Sequence, residues 1–262
     1  MPLTRKDFKY LISLSQKKVR EQEKKFLLEG WRPLDEALRS DFVIDYVAVD
    51  KTTEGDPAHV KILAASKKKS IRIQEITTRE MNQVSSTVHS QGVLAVVHQK
   101  ESRFSELVSR KATLIVALDG VADPGNLGSI IRSCDWFGVD GILLGKGCVE
   151  LYNEKVVRST AGSLFHLPIV EDLDLGNTLR QTATAGYSVV SFSGDGSVSY
   201  LAGRLRLPAV LVFGSEPHGI SLEVRGLSDS VLKIPRYGLA ESLNVGVACG
   251  IVLAHLRSQS KQ

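Results

Sequence analysis

The sequence predicts an α/β protein: a carboxy-terminal domain built on a parallel sheet, preceded by a smaller α/β module. Three observations carry that prediction. From Thr113 onward, near-continuous apolar runs alternate with stretches at helical spacing, as strands covered on both faces do. Before residue 100 the strands are shorter, again alternate with helices, and lie in a more basic composition. Between these parts the stretch 98–111, HQKESRFSELVSRK, is polar and charged with few apolar positions. It reads as the connection, with domains at 1–108 and 109–262.

The chain of 262 residues is long enough for one large core or two smaller ones, and its 43% apolar and 24% charged content is that of a globular protein. No stretch is apolar for long enough to span a bilayer. The best candidate, Val245 to Leu256, is too short and runs into Arg257. The amino terminus is charged and lacks an apolar signal core, so a cytoplasmic protein with no membrane partner is expected. Cys134, Cys148 and Cys249 are widely spaced, form no CxxC pair and sit among apolar neighbours. They read as reduced, buried thiols, and no metal site is expected.

The net charge of +4 is uneven. Residues 1–108 hold 19 Lys or Arg against 15 Asp or Glu, whereas residues 109–262 hold 14 of each. Eight basic and three acidic side chains fall in the first 25 residues, and Lys67-Lys68-Lys69 forms a second cluster. Such clusters suit phosphate contacts, although solvated helix faces carry similar runs.

In the first module, Phe8, Leu11, Ile12, Leu14 and Val19 place an apolar stripe on a helix over 4–22. Phe26 to Gly30 reads as a strand and turn, and Pro33 to Arg39 as a helix with Leu34, Ala37 and Leu38 inward. Val43 to Val49 is a strand, Pro57 to Ser66 a helix, Ile71 to Ile73 a strand and Gly92 to Val97 an apolar strand. His89-Ser90-Gln91-Gly92 stands just before the last of these. His89 there is a ligand or base, a turn residue near nucleic acid, or a plain surface histidine.

In the second part Thr113 to Leu118 is a strand that ends in Asp119-Gly120. The loop 121–126 leads into a helix over 127–137 closed by Gly138. Gly141 to Leu144 is a strand, Asn153 to Ala161 a helix, Phe165 to Ile169 a strand, Leu173 to Ala185 a helix and Tyr187 to Phe192 a strand. Gly194-Asp195-Gly196 reads as a turn. Ala209 to Phe213 and Val231 to Ile234 are the last strands. Val245, Val247, Ala248, Ile251, Val252 and Leu256 then continue at helical spacing.

Ligands of an open parallel sheet bind outside the carboxyl ends of its strands. Three loops at such ends carry polar groups. The first holds Asn126, with Arg132 one or two turns into the following helix. The second, Gly214 to Ser221, holds Gly214 and Gly219, where backbone can approach a ligand closely, and the carboxylate of Glu216. The third is Ser242-Leu243-Asn244, a polar cluster at the mouth of the last helix, where unpaired N–H groups collect. By itself that cluster reads more readily as a capped core helix than as a ligand site. No loop matches GxxxxGK[ST] or GxGxxG, no histidine pair has metal spacing, and GxSxG is absent. Nucleotide hydrolysis, the common dinucleotide fold and a serine-nucleophile elbow therefore lack support.

Taken together, the three loops resemble the three ordered motifs of the SpoU/TrmH family of RNA 2′-O-ribose methyltransferases. The matching stretches are NLGSIIR (126–132), FGSEPHGIS (213–221) and IPRYGLAESLNVGVA (234–248), with KVVRSTAGSLFHLPI between the first two. The resemblance covers about residues 112–257. More loosely, the first part is similar to the ribosomal-protein-like substrate-binding domain that precedes this catalytic domain in relatives. The resemblance implies a trefoil-knotted α/β methyltransferase domain whose carboxy-terminal segment threads a loop. It also implies a homodimer with the active site near the subunit interface, S-adenosylmethionine as cofactor, and structured RNA, ribosomal or transfer, as substrate.

By the same resemblance, Phe192, Gly214, Gly219, Ile234 and Leu243 would hold the cofactor. Asn126, Arg132, Glu216, Ser242 and Asn244 would form the polar catalytic group. Methyl transfer from a sulfonium to a hydroxyl is an in-line displacement, so the protein must supply alignment and help with the proton. Arg132 is the family's usual activator of the ribose hydroxyl. A guanidinium stays protonated, so binding the adjacent phosphate and stabilising a developing alkoxide suit it better. The plain alternative for Arg132 is a surface ion pair. Departures from the family pattern are Ser215 and Pro217 around Glu216, Arg236 in place of the usual Met, and Gly246 in place of the usual Ser. The competing function is an RNA-binding assembly factor that keeps the fold without turnover.

Overall fold

A computed structural model of the chain describes residues 1–53, 55–87, 89–202 and 205–259. Residues 1–100 begin one of two units. Here helices α1 (Arg5–Ser13), α2 (Lys17–Glu23), α3 (Trp31–Arg39), α4 (Pro57–Lys68) and α5 (Thr78–Val84) accompany strands β1 (Lys25–Glu29), β2 (Ile44–Asp50), β3 (Arg72–Ile76) and β4 (Val93–His98). The sheet order is β1-β4-β2-β3, with β1 and β2 antiparallel to β4 and β3 parallel to β2. Leu11 of α1 and Leu14 at its end, and Met81 and Val84 of α5, pack on Tyr46, Ala48, Leu94 and Val96. The alternate residues of the same strands, such as Val47 and Val49, are buried too, so both faces of this sheet are covered.

The helix expected over 4–22 is broken. Gln16 is extended, and α2 starts after it. Buried Arg20 explains the break. Its Nη1 donates to the carbonyls of Leu14 (2.8 Å) and Ser15 (2.7 Å), groups that a helix end leaves without partners. Helix α5 was not read from the sequence, although Thr77 and Glu80 form a complete capping box.

The second unit takes 101–151 and the chain from Leu167 onward. Its elements are α6 (Phe104–Ser109), β5 (Leu114–Asp119), α7 (Pro124–Trp136), β6 (Gly141–Gly145), β7 (Ile169–Leu173), α9 (Leu175–Thr184), β8 (Ser188–Phe192), β9 (Val198–Ser199), β10 (Ala209–Gly214), α10 (Leu222–Gly226), β11 (Ser230–Lys233) and α11 (Val245–Gln259). Every pairing in its sheet is parallel, in the order β7-β6-β5-β10-β8-β11-β9. Ile115, Ala117, Val210 and Val212 face Leu107 of α6, Leu175 and Leu179 of α9 and Val224 of α10. The alternate strand residues Val116, Leu118, Leu211 and Phe213 are buried as well. Helix α11 packs along α7, and Ile130, Ile131 and Cys134 of α7 and Cys249, Val252 and Leu253 of α11 are buried.

Between β6 and β7 the chain contributes Tyr152–His166 to the first unit, including α8 (Glu154–Ser159). The expected single cut at 108 differs from this division in two ways: α6 belongs with the second unit, and this segment with the first. Aromatic packing fixes the segment there. Tyr152 lies on Phe26 with ring centroids 4.7 Å apart, and Phe165 meets Phe42 edge-on at 4.9 Å. The Tyr152 hydroxyl accepts the Lys100 N–H and donates to the Lys100 carbonyl, both at 2.9 Å. The strand expected at 165–169 is a tight turn over 163–165, and the strand begins at Ile169. No helix among the described residues is long and apolar enough to cross a membrane.

Candidate active site

Strand order in the second sheet reverses at the β5/β10 pair. From β5 the chain goes outward to β6 and β7, while β8 and β11 lie beyond β10. Such a reversal leaves a crevice at the carboxyl ends of the strands. Asp119 ends β5 opposite Gly214, the end of β10. Each strand is followed by one of the polar loops singled out from the sequence.

The loop after β5 is organised by Asp123, not by Asn126. Asp123 is the N-cap of α7, its carboxylate accepts the Asn126 N–H at 2.8 Å, and Pro124 occupies the first turn. The helix therefore starts three residues earlier than its apolar spacing indicates, and Asn126 lies inside its first turn. That aims the Asn126 side chain at the loop after β10. Its Nδ2 donates to Glu216 Oε1 at 2.9 Å.

The loop after β10 doubles back on itself. Ser215 and Gly219 exchange backbone hydrogen bonds of 3.1 and 2.8 Å. A Cβ on Gly214 would overlap the Gly219 carbonyl group, so only glycine permits this closure. Gly219 itself is in the left-handed region with φ of 65°. Asp119 fastens the far end of the loop, its carboxylate accepting the Ser221 N–H at 2.7 Å.

Asn244 closes the cluster. Its Nδ2 donates to Glu216 Oε1 (2.7 Å) and to Asn126 Oδ1 (2.8 Å). Its Oδ1 accepts the N–H groups of Gly246 (2.9 Å) and Val247 (3.2 Å) and so caps α11. Three residues separated by 90 and 28 positions thus share one hydrogen-bonded network. Glu216 Oε1 receives two amide donors, while Oε2 has no partner among the described residues.

Other residues named from the sequence lie outside that network. The Arg132 side chain is exposed and makes no hydrogen bond or ion pair among the described residues, so the surface ion pair considered for it is absent there. Six residues past Asn126 on one helix, it lies about 9 Å further along the axis and about a third of a turn away in direction. Ser242 and Leu243 are exposed in the irregular segment before α11, and Ile234 is half-buried at its start. Phe192 is buried and stacks on Phe213, ring centroids 4.9 Å apart and planes within 9°, at the carboxyl ends of β8 and β10. Sequence reasoning missed Asp119 and Asp123 as site supports. The Asp-Pro start of α7 was the available signal for the second; nothing local distinguishes the first.

The residues present fit an adenosyl group at this crevice. Gly214 lets the loop fold back so tightly that its backbone lines the end of β10, and the chain between Pro235 and Leu243 lies in no helix or strand, leaving peptide groups for ligand contacts. Among the described residues no three His, Cys, Asp or Glu side chains are grouped so as to hold a metal ion. Burial pushes the Cys134 thiol well up, with neighbouring Cys249 reinforcing the shift, so this thiol stays protonated.

Comparison with known proteins gives a consistent picture. Residues 113–254 match the SpoU rRNA Methylase family, and residues 6–95 match the MRM3-like substrate binding domain. The 23S rRNA (guanosine(2553)-2′-O)-methyltransferase RlmP of Bacillus subtilis is 32% identical over 96% of this chain and 95% of its own length. The AdoMet-bound rRNA methyltransferase of Sinorhizobium meliloti superposes with a TM-score of 0.87 at 29% identity, covering 99% of this chain and 97% of that one. The SpoU methyltransferase AviRb of Streptomyces viridochromogenes, in complex with AdoMet, gives 0.86 at 26% identity and 99% coverage of both chains.

Proposed function

The chain belongs to the SpoU rRNA methylase family, and from that premise we propose that it methylates a ribose 2′-hydroxyl of structured RNA, with S-adenosylmethionine as methyl donor. The observation that carries this reading is the convergence of Asn126, Glu216 and Asn244 on one carboxylate oxygen at the strand-order reversal. When bound, S-adenosylmethionine supplies an electrophilic methyl carbon. Backbone at Gly214, Gly219, Ile234 and Leu243, with Phe192 at the end of its strand, would hold the adenosyl moiety.

The chain's own groups supply the rest. Asn126 and Asn244 fix Glu216 through Oε1, which leaves Oε2 to accept a hydrogen bond from a ribose hydroxyl. Arg132 binds the neighbouring phosphate and stabilises negative charge as it develops on the 2′-oxygen. Ser242, in the segment leading to the α11 cap, adds a hydroxyl to the polar set. Ribosomal RNA is the favoured substrate, as for the relatives above. The first unit binds that RNA, supported by its match to a substrate-binding domain and by its excess of basic residues. The protein works in the cytoplasm, where such RNA is found.

The second unit functions as a homodimer. Two features support this reading. Arg132 points away from the Asn126 cluster of its own chain, so a second copy can bring the two together. Trp136, Tyr237 and Leu239 are 83%, 93% and 98% exposed, large apolar side chains that association would cover. A threaded carboxy-terminal crossing is supported by the path of the chain: β11 lies beyond β8, yet α11 returns to pack on α7 and β10.

The decisive experiment pairs calorimetry with S-adenosylmethionine and methylation of ribosomal RNA from a strain that lacks the gene. Wild type should bind the cofactor and methylate the RNA. Arg132→Ala should bind the cofactor within about twofold and lose at least ~100-fold in rate, the scale of removing a group that stabilises developing charge. A wild-type protein that binds RNA but no cofactor would instead be a non-catalytic assembly factor.

A further inference from the structure

Within the first unit, one cluster of ring and amide groups is built more elaborately than its loops require. Trp31, the first residue of α3, is buried at 6% exposure. The half-buried His59 of α4 stacks on it, centroids 3.9 Å apart and planes within 9°. The Trp31 Nε1–H donates to the Gln91 carbonyl at 2.8 Å, and its backbone N–H donates to Gln91 Oε1 at 3.2 Å. Two glycines make this closeness possible. Gly30 has φ of 107°, and a Cβ on it would touch Gln91 Oε1 at 3.0 Å. Gly92 has φ of 74°, and a Cβ on it would overlap the Thr53 side chain. His59 Nδ1 is 2.7 Å from the Thr53 carbonyl, a distance at which this nitrogen carries the proton and donates.

The Trp31 N–H groups, the Gln91 oxygens and His59 Nδ1 are thus all used, and two further polar atoms are not. Among the described residues His59 Nε2 and Gln91 Nε2 have no hydrogen-bond partner. One is an acceptor when Nδ1 holds the only proton; the other is a donor. Both belong to groups whose orientation is already fixed, so a ligand would lose little side-chain freedom in binding them. A flat ring backed by a second ring, beside a fixed acceptor and donor, is suited to a nucleobase, which offers a π face and a hydrogen-bonding edge.

We propose that the Trp31–His59 stack, with the Gln91 side chain, is a binding site for one unpaired base of the RNA substrate. The base stacks on His59 and is read along its edge by His59 Nε2 and Gln91 Nε2. This assignment rests on the RNA methyltransferase reading and adds to it a place and a chemistry for recognition remote in sequence from the methyl-transfer motifs.

The test uses the full-length protein, with ribosomal RNA from the strain lacking the gene as probe, and measures RNA affinity and cofactor affinity in parallel. His59→Ala should weaken RNA binding about tenfold, the range found for removing a base-stacking ring. His59→Phe, which keeps the ring and loses Nε2, should recover most of that loss, a rescue that a purely structural histidine held by Thr53 would not show. Cofactor affinity should stay within about twofold in both. If His59→Ala unfolds the first unit by circular dichroism, Gln91→Glu decides: it retains an oxygen for the Trp31 N–H and replaces only the outward donor, and should cost about fivefold. RNA binding within about twofold of wild type for a folded His59→Ala, or for Gln91→Glu, overturns the site while leaving the methyltransferase reading intact. A wild type that binds no ribosomal RNA overturns the site together with ribosomal RNA as the substrate, and its cofactor affinity then tests the methyltransferase centre separately.

Discussion

Asn244 does two things with one amide. Its oxygen caps α11 and its nitrogen ties Glu216 to Asn126, so the start of the last helix and the polar cluster share an anchor. The two roles separate by substitution. Asn244→Asp keeps a good N-cap and adds a charge that the helix N-terminus favours, but it sets a second carboxylate against Glu216. Asn244→Ala removes both roles and costs ~1 kcal/mol as a lost cap, roughly 2–4 °C in melting temperature for a chain of this size. Thermal melts should therefore place the Asp variant near wild type and the Ala variant below it, while methyl transfer falls in both. An Asp variant with wild-type activity would remove Asn244 from the site. The residue types of this cluster were legible because their motifs are ordered. Their geometry was legible only in part: apolar spacing begins α7 at Leu127, whereas the cap at Asp123 begins it at Pro124 and rotates Asn126 into the cluster.

Local capping and close approach, rather than hydrophobic period, decide the elements around the site. The long apolar strands β5, β6, β8 and β10 were readable from sequence because burial on both faces writes itself as an apolar run. The short helices α5 and α10 were not, since each carries few buried side chains and is defined by Thr77 or Ser221 as a cap. Two glycines of the second loop illustrate the same point through different physics. A methyl group on Gly214 would run into the Gly219 backbone and must open the Ser215–Gly219 bridge. Gly219 has open space around it and only its positive φ to protect. Gly214→Ala should cost ~2–3 kcal/mol or more as an overpacked position and abolish cofactor binding. Gly219→Ala should cost ~1–2 kcal/mol, the penalty of a left-handed L-residue, and leave measurable affinity. Urea denaturation with parallel calorimetry checks the order, and the reverse order would contradict a backbone cradle at Gly214.

At the scale of the molecule, the sequence shows two parts but hides how the chain is shared between them. A polar stretch at 98–111 reads as a border, and no local property of 152–166 reveals that these residues return to the first unit. Their apolar side chains answer to a partner distant in sequence: Tyr152 to Phe26, Phe165 to Phe42, and α8 to β1. Deleting residues 1–100 alone would leave Tyr152, Val156, Val157, Leu164 and Phe165, all buried in the intact chain, without cover. That truncation should aggregate. Deleting 1–100 and also replacing 152–166 with a Gly/Ser linker of equal length removes the exposed apolar surface with the unit that covered it. The resulting protein retains α6, the parallel sheet and the Asn126–Glu216–Asn244 cluster. It should be soluble, sediment as a dimer through the surface that includes Trp136, bind S-adenosylmethionine within a few-fold of the full chain, and bind ribosomal RNA at least ~10-fold more weakly. Monomeric sedimentation with cofactor affinity preserved would refute the dimer. Unchanged RNA affinity would refute RNA recognition by the first unit, and with it the reason for the chain to build that unit from two separate stretches.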